Sequence, residues 1–288
     1  MSKIEKALNR AREGRGNLQV VPVAGAGVVP PPDTAAGVAP SQGTAMVADS
    51  AAHPETIPRM AKSEVRLLGA GVLAQQGIIQ PQHSEDPAVQ VFRELRTKII
   101  QQSQGKNAVV LVTAVSKGCG ASFIAQNLGA AFAFDGGKTA LLIDCNLRSP
   151  SVHRLLSNAA APGLTDYFEN SGLEIADIIH PVGIARYRVI TAGKRREILE
   201  EHFTSVKMKR LMDTLRRRYQ ERFIIMDGPP LTKSADIRIL SELADYVLVV
   251  ARYGRSTNAQ IANSLDAISD KKRLGIVFNE EPRIPRIR

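Results

Sequence analysis

The sequence has no tryptophan and two cysteines, and aromatic residues make up only 5% of its 288 positions. Two cysteines cannot form the multi-bridge framework of a small secreted scaffold, and no secretory leader is recognisable, so a reducing, cytoplasmic setting is expected. Long apolar runs are missing as well. None approaches the ~18–20 residues a membrane span requires. The nearest, residues 20–29, is short and broken by Pro22. Five histidines are scattered without ligand spacing, so no histidine-based metal site is expected.

What is present is basic. The formal net charge is +10, concentrated at Lys194–Arg196, at Lys207, Lys209 and Arg210, at Arg216–Arg218, and at Arg283, Arg286 and Arg288. Glu197, Glu200, Glu201, Asp213 and Glu221 lie among these positions, which reads as a solvated helix surface. No nucleic-acid reading motif accompanies the charge, so nucleic acid is not the expected partner.

Composition divides the chain into three. Residues 1–13 place Ile4, Ala7, Leu8 and Ala11 on one face of a short helix with Ser2 at its start, either frayed or docked on a partner. Residues 14–86 are rich in Ala, Gly, Pro, Val, Ser and Thr and lack the large apolar residues that offset ordering entropy. They read as a flexible linker, with a short helix possible over 63–76. Residues 87–288 carry the fold.

Pro87 suits the first turn of a helix in which Val89, Phe92, Leu95, Ile99 and Ile100 recur at helical spacing. Apolar strands are then expected at 108–113, 139–144, 188–191, 223–227, 246–251 and 274–278. Helices are expected near 122–134, 151–156, 165–170, 173–179, 205–219, 235–243 and 258–269. This alternation predicts an α/β fold, a mainly parallel sheet with helices on both faces; the phosphate-loop pattern and the resemblance described below make the expected fold P-loop NTPase-like. Ligands of such sheets sit at the carboxyl ends of the strands.

Three loops fall at such ends. The first, Ser116-Lys117-Gly118-Cys119-Gly120-Ala121-Ser122, joins a strand to a helix, as a phosphate-binding loop does. It departs from G-x-x-x-x-G-K-[ST] at Ala121, where the lysine belongs, and at Val115, where the first glycine belongs. The second runs Asp144-Cys145-Asn146-Leu147-Arg148-Ser149-Pro150, and the third Asp227-Gly228-Pro229-Pro230. A carboxylate ending a buried strand beside a phosphate loop can hold Mg²⁺, with Ser122 as the hydroxyl ligand of the same ion. Gly136-Gly137-Lys138-Thr139 also contains G-K-T, but it follows a helix and opens a strand, where a glycine with positive φ is expected to end the helix. Cys119 and Cys145 could form a redox pair on neighbouring strand ends; the favoured reading is two small residues that fit.

With these residues in place, the region from Pro87 to Asn279 resembles the cytoplasmic domain of the bacterial tyrosine kinases of capsule and exopolysaccharide systems. The family's PGEGKS motif corresponds to Lys117–Ser122, its LLIDxDxRxP to Leu141–Pro150, and its IIDTPP to Ile225–Pro230. Gly163-Leu164-Thr165-Asp166, Ala192-Gly193, Ala244-Asp245 and Gly275–Asn279 match as well. The N-terminal SKIEKAL is similar to kinases of exosortase-linked polysaccharide clusters. The resemblance implies ATP or ADP with Mg²⁺ held by Gly118, Cys119, Gly120, Ala121, Ser122, Phe123 and Asn279. It implies Ser122, Asp144 and Asp227 at the metal, and Asp144, Asp227 and Lys117 in catalysis. It also implies a membrane-anchored chain-length regulator as partner, peripheral attachment to the inner membrane through it, and a subunit-contact helix. That helix would present Gln90, Arg93 and Arg96, with Gln90 where glutamate is usual.

Three departures bear on activity. Ala121 removes a charge that would sit ~4 Å from phosphate oxygens, worth about 4 kcal/mol at an effective dielectric near 20. Asn146 replaces the second aspartate of the second motif, and no tyrosine follows Tyr253 to serve as a C-terminal acceptor. A degenerate, regulatory member is therefore expected. The alternatives are an active autokinase using Lys117, with Tyr246, Tyr253 or a partner's tyrosine as acceptor, and a positioning-type ATPase.

Overall fold

The computed structural model describes residues 21–24, 66–82, 85–194, 200–218, 221–231 and 236–281. The expected helix over 2–13 and the basic positions at 195, 196, 283, 286 and 288 lie outside them. In chain order the elements are β1 (Val21–Ala24), α1 (Ala70–Gln75), α2 (Pro87–Gln102), β2 (Val109–Ala114), α3 (Ala121–Ala133) and β3 (Thr139–Asp144). Next come α4 (Leu164–Glu169), β4 (His180–Pro181), β5 (Tyr187–Ile190), α5 (Glu200–Thr204) and α6 (Val206–Arg218). The chain continues through β6 (Arg222–Asp227), α7 (Asp236–Leu243), β7 (Tyr246–Arg252), α8 (Asn258–Asp266) and β8 (Arg273–Glu281). The stretches expected as helices near 151–156 and 173–179 are short 3₁₀ turns, Val152–Leu155 and Ile175–Ile178.

The strands form one sheet in the order β1-β8-β7-β2-β6-β3-β5-β4, parallel throughout except for β4 against β5. Near-continuous apolar strands are what a sheet covered on both faces requires, and β2 and β6 are buried along their whole length. The parallel direction brings the three chemistry-bearing loops to one end. The other end is closed by Asp245, which accepts from the Val109 amide (2.8 Å) and pairs with Arg216 (2.9 Å).

Helix α3 is the pillar of this arrangement. Its Ile124, Leu128 and Phe132 are fully buried, and Phe132 stacks on Phe223 of β6 at 4.1 Å. Gly129 lets Tyr187 of β5 approach, since a Cβ there would lie 2.5 Å from its ring. The Tyr187 hydroxyl donates to the Gln126 carbonyl at 2.9 Å, and burial pushes its pKa up.

The ordered fold begins upstream of the boundary expected at 87. Within the stretch read as linker, Leu73, Ile78 and Ile79 are buried. Asn127 of α3, fully buried, accepts from the Ile79 amide (2.8 Å) and donates to the Gly77 carbonyl (3.1 Å). The segment is short of apolar residues, but a polar clamp from the core supplies the backbone partners it needs. β1, also inside the expected linker, pairs in parallel with β8, Val21 opposite Val277.

The turn at 135–138 forms without the positive-φ glycine expected there. Neither Gly136 nor Gly137 has positive φ. The Asp135 carboxylate instead accepts from the Gly137 amide at 3.1 Å, making the turn with a side chain.

Candidate functional site

The first loop leaves β2 and delivers the chain to the amino end of α3 through two left-handed glycines, Gly118 (φ 86°) and Gly120 (φ 89°). Gly120 is the N-cap of α3, and Ala121 is the first helical residue. Only glycine fits at 120: a Cβ would fall 2.2 Å from Asn279 Nδ2. Asn279, buried near the end of β8, donates from Nδ2 to the Cys119 carbonyl at 3.0 Å and so fixes the loop from behind. A further brace comes from Ser256 in the β7–α8 turn, whose Oγ lies 3.8 Å from Cys119 Sγ. The result is a backbone cradle at the positive end of a helix dipole, the arrangement that suits an anion.

Two aspartates close the site from the neighbouring strands. Asp144 ends β3 and Asp227 ends β6, and the two are register partners. Both are fully buried. Asp144 is anchored: Oδ2 accepts from the Ser151 and Val152 amides, each at 2.9 Å, and Oδ1 from the Asn146 amide at 3.2 Å. Burial still outweighs these bonds and raises its pKa to about 6. Asp227 has no such support. Neither carboxylate oxygen has a partner at hydrogen-bond geometry. Burial first, then the Asp144 charge, pushes its pKa well above the usual carboxylate range, while the nearby Ser122 hydroxyl acts the other way.

Two adjacent buried carboxylates, one with both oxygens orphaned, are costly unless something positive sits between them. Among the described residues no group of three or more His, Cys, Asp or Glu could hold a metal by itself. Two carboxylates and the Ser122 hydroxyl nevertheless fit Mg²⁺, which keeps several waters and is commonly shared with substrate phosphates. The third loop is held in place for this by Thr113, whose Oγ1 donates to the Pro229 carbonyl at 2.7 Å.

The remaining expected residues divide. Lys117 is exposed on the loop. Ala121 is buried at 8% exposure, and its methyl group is all that stands at the lysine position. The Phe123 ring turns away to meet Phe92 of α2 edge-on at 6.1 Å, leaving only the backbone for a ligand. Cys119 and Cys145 are both buried free thiols, so they form no disulfide. Burial and the two aspartates raise the Cys145 pKa, which keeps it a thiol. Arg96, expected on a subunit-contact face, is half-buried and donates from Nη1 to the Ala131 carbonyl of α3 at 2.9 Å, while Gln90 is exposed. Tyr246 sits at the amino end of β7, far from the loops, with its hydroxyl donating to the Gln102 carbonyl. Tyr253 follows the carboxyl end of β7 beside Asn279 and is 43% exposed. Sequence reasoning missed Asn127, Gln126 and Ser256, all brace residues. An asparagine in the middle of an apolar helix stripe was the one visible signal. An open cleft of ≈ 440 Å³ lined by Asp166, Glu169, Asn170 and Lys194 has no residue of the three loops in its lining.

No family model matches the chain. It is 31% identical over 230 residues, 78% of its length, to the putative tyrosine-protein kinase EpsB of Ralstonia solanacearum. It is also 31% identical over 197 residues, 67% of its length, to the tyrosine-protein kinase wzc of Salmonella typhimurium. These matches span 30% and 27% of the two relatives, so the chain covers about a third of their length. Among solved structures, the BceF tyrosine kinase domain superposes with a TM-score of 0.62 at 26% identity, covering 76% of this chain and 92% of that one. The chimerical protein CapA2B2 gives 0.66 at 25% identity, covering 76% and 96%. At 31% identity over more than two thirds of its length, the chain belongs to the bacterial tyrosine-kinase family of P-loop proteins.

Proposed function

We propose that the chain is a tyrosine-kinase-like regulator of an exopolysaccharide or capsule system, one that binds Mg²⁺-nucleotide and transfers phosphoryl groups poorly. The observation that carries this reading is the contrast within one site. The Asp144–Asp227 pair is retained, buried and in need of a cation, whereas the lysine that would neutralise phosphate is Ala121. The backbone amides around Gly118, Cys119, Gly120 and Ser122 would receive the phosphates, and Asn279 would hold the loop in shape. Ser122, Asp144 and Asp227 would hold the metal, which supplies charge neutralisation at the phosphates. Without the lysine, transition-state charge on the transferred group has less stabilisation, so binding survives better than chemistry.

A membrane-anchored chain-length regulator is the partner this reading implies, with the chain attached to the inner membrane through it. No described helix is long and apolar enough to cross a membrane. Assembly through α2 would use the helix that carries Gln90, Arg93 and Arg96, the last of which also donates to the Ala131 carbonyl of its own subunit.

The test is equilibrium binding of ATP and ADP with and without Mg²⁺, on the wild type and on Ala121→Lys, with phosphotyrosine measured in parallel. Mg²⁺-dependent binding with little phosphotyrosine supports the proposal. Robust ATP-dependent phosphotyrosine on the purified wild type, abolished by Asp227→Ala, overturns it. If Lys117→Ala also abolished that phosphotyrosine, the exposed Lys117 would be the substitute cation and the chain an active autokinase.

A further inference from the structure

One face of α3 reaches toward both carboxylates. Ser122 and Gln126 are four residues apart and so stand one above the other on the helix. Ser122, in the first turn, lies beside Asp227. Gln126, in the next turn, reaches the other carboxylate through a second residue. Its Nε2 donates to Ser151 Oγ at 3.1 Å. Ser151 in turn gives its backbone amide to Asp144 Oδ2 at 2.9 Å, and the Val152 amide does the same. A chain of two hydrogen bonds thus runs from the phosphate-loop helix to Asp144.

Local structure leaves both side chains available for this link. Ser151 is the N-cap of the 3₁₀ turn Val152–Leu155, a position where a serine hydroxyl ordinarily accepts from an amide of its own turn. Here that bond is not made. The Asp144 carboxylate takes the Ser151 and Val152 amides instead, and the hydroxyl accepts from Gln126. Gln126 is itself fixed at its backbone. Its carbonyl accepts from the Tyr187 hydroxyl of β5 at 2.9 Å, an approach for which Gly129 makes room. The side chain therefore starts from an anchored point, and a displacement of α3 is passed to the turn that holds Asp144. A second bond to that turn, from Gln76 Nε2 to the Arg154 carbonyl at 3.0 Å, meets it past the amides that hold Asp144.

We propose that Gln126 is a positioning residue for Asp144. Through the Ser151 hydroxyl it ties the carboxylate that would hold Mg²⁺ to the helix that would receive the phosphates, and so sets the affinity of the site for the metal. The inference rests on the reading of these loops as a Mg²⁺-nucleotide site. Metal and phosphates share one coordination sphere in such a site, so a carboxylate that shifts relative to the phosphate helix binds the ion less well. A bond with only a structural role would change stability and leave the metal dependence of nucleotide binding alone.

The quantity to measure is the ratio of ADP affinities with Mg²⁺ and with EDTA, by calorimetry on the full-length chain. Gln126→Met keeps the length of the side chain and removes the donor. Ser151→Ala removes the acceptor and keeps the amide on Asp144. Each should lower the ratio by about tenfold, and the double variant no further than either alone. Ser151→Thr, which retains the hydroxyl, should keep the wild-type ratio, as should Gln76→Ala, which loosens the same turn at Arg154. An unchanged ratio in Gln126→Met and Ser151→Ala, additive losses in the double variant, or an equal loss in Gln76→Ala overturns the inference. Should Gln126→Met fail to fold, Ser151→Ala against Ser151→Thr and Gln76→Ala decides between the same outcomes. A wild type whose ADP binding ignores Mg²⁺ overturns the Mg²⁺-nucleotide reading instead, and the tie is then read without ligand. Amide hydrogen exchange at 151–152 should quicken by about tenfold in Gln126→Met or Ser151→Ala while 109–114 stays protected. Unchanged exchange at 151–152 overturns the inference as well.

Discussion

The phosphate loop and the paired carboxylates face one another across the ends of β2, β3 and β6, and they have kept different things. The loop has kept its shape. Gly118 and Gly120 hold left-handed conformations, Asn279 bonds the Cys119 carbonyl, and Ser256 supports Cys119 from the far side. Its charge is gone. The carboxylates have kept charge at a cost, because Asp227 is fully buried without a partner for either oxygen. A loop's geometry is maintained by packing and needs no ligand to persist. An orphaned buried carboxylate destabilises the empty fold, so its presence is the stronger pointer to a bound cation.

The sharpest way to break this comparison is Asp227→Asn. Magnesium-dependent nucleotide binding should disappear in calorimetry, while the metal-free protein should gain roughly 1–3 kcal/mol, because an uncompensated buried charge has been removed. A lowered melting temperature without metal would mean that Asp227 is structurally satisfied after all. Next is Ala121→Lys, which restores the missing charge to the loop. Nucleotide affinity should rise by up to roughly three decades, following about 4 kcal/mol at ~4 Å and a dielectric near 20. No change would mean that the loop cannot present a side chain at that position.

Gly120→Ala probes shape alone. With φ at 89° and Asn279 Nδ2 only 2.2 Å from the new Cβ, it should cost about 1–3 kcal/mol in urea unfolding. The smallest effect is the pH dependence of the metal-free protein. Folding raises the Asp144 pKa from 3.8 to about 6, so between those values the folded state holds a proton that the unfolded state has released. Stability should therefore increase as pH falls from 7 through 6 toward 4, and be lost as pH rises through 6, with a slope below about 1.4 kcal/mol per pH unit. Magnesium-nucleotide affinity should move oppositely and weaken as pH falls through the same window.

Much of the site was legible because strand-end chemistry is local. An apolar run ending in aspartate places Asp144 and Asp227 without knowledge of the rest, and glycine spacing places the first loop. The chain order of strands and helices was readable for the same reason. What escaped depends on distant partners. Nothing local announces that Asn127 will clamp residues 77–79, or that the Arg96 guanidinium will turn inward to the Ala131 carbonyl. β1 lies in a Pro- and Gly-rich context and becomes a strand only because β8 offers an edge. The 135–138 turn went the other way: a strong local signal, Gly136-Gly137, was bypassed by the Asp135 side chain.

Strand β7 carries a tyrosine near each end, and its direction sets the kinetic order of any self-modification. Tyr246 begins the strand and Tyr253 follows it. Seven residues at ~3.3 Å each put them ~20 Å apart. Label incorporated at Tyr253 could arise within one molecule and would be first order in protein. Label at Tyr246 would require a second molecule's loop, so its initial rate would rise with the square of protein concentration.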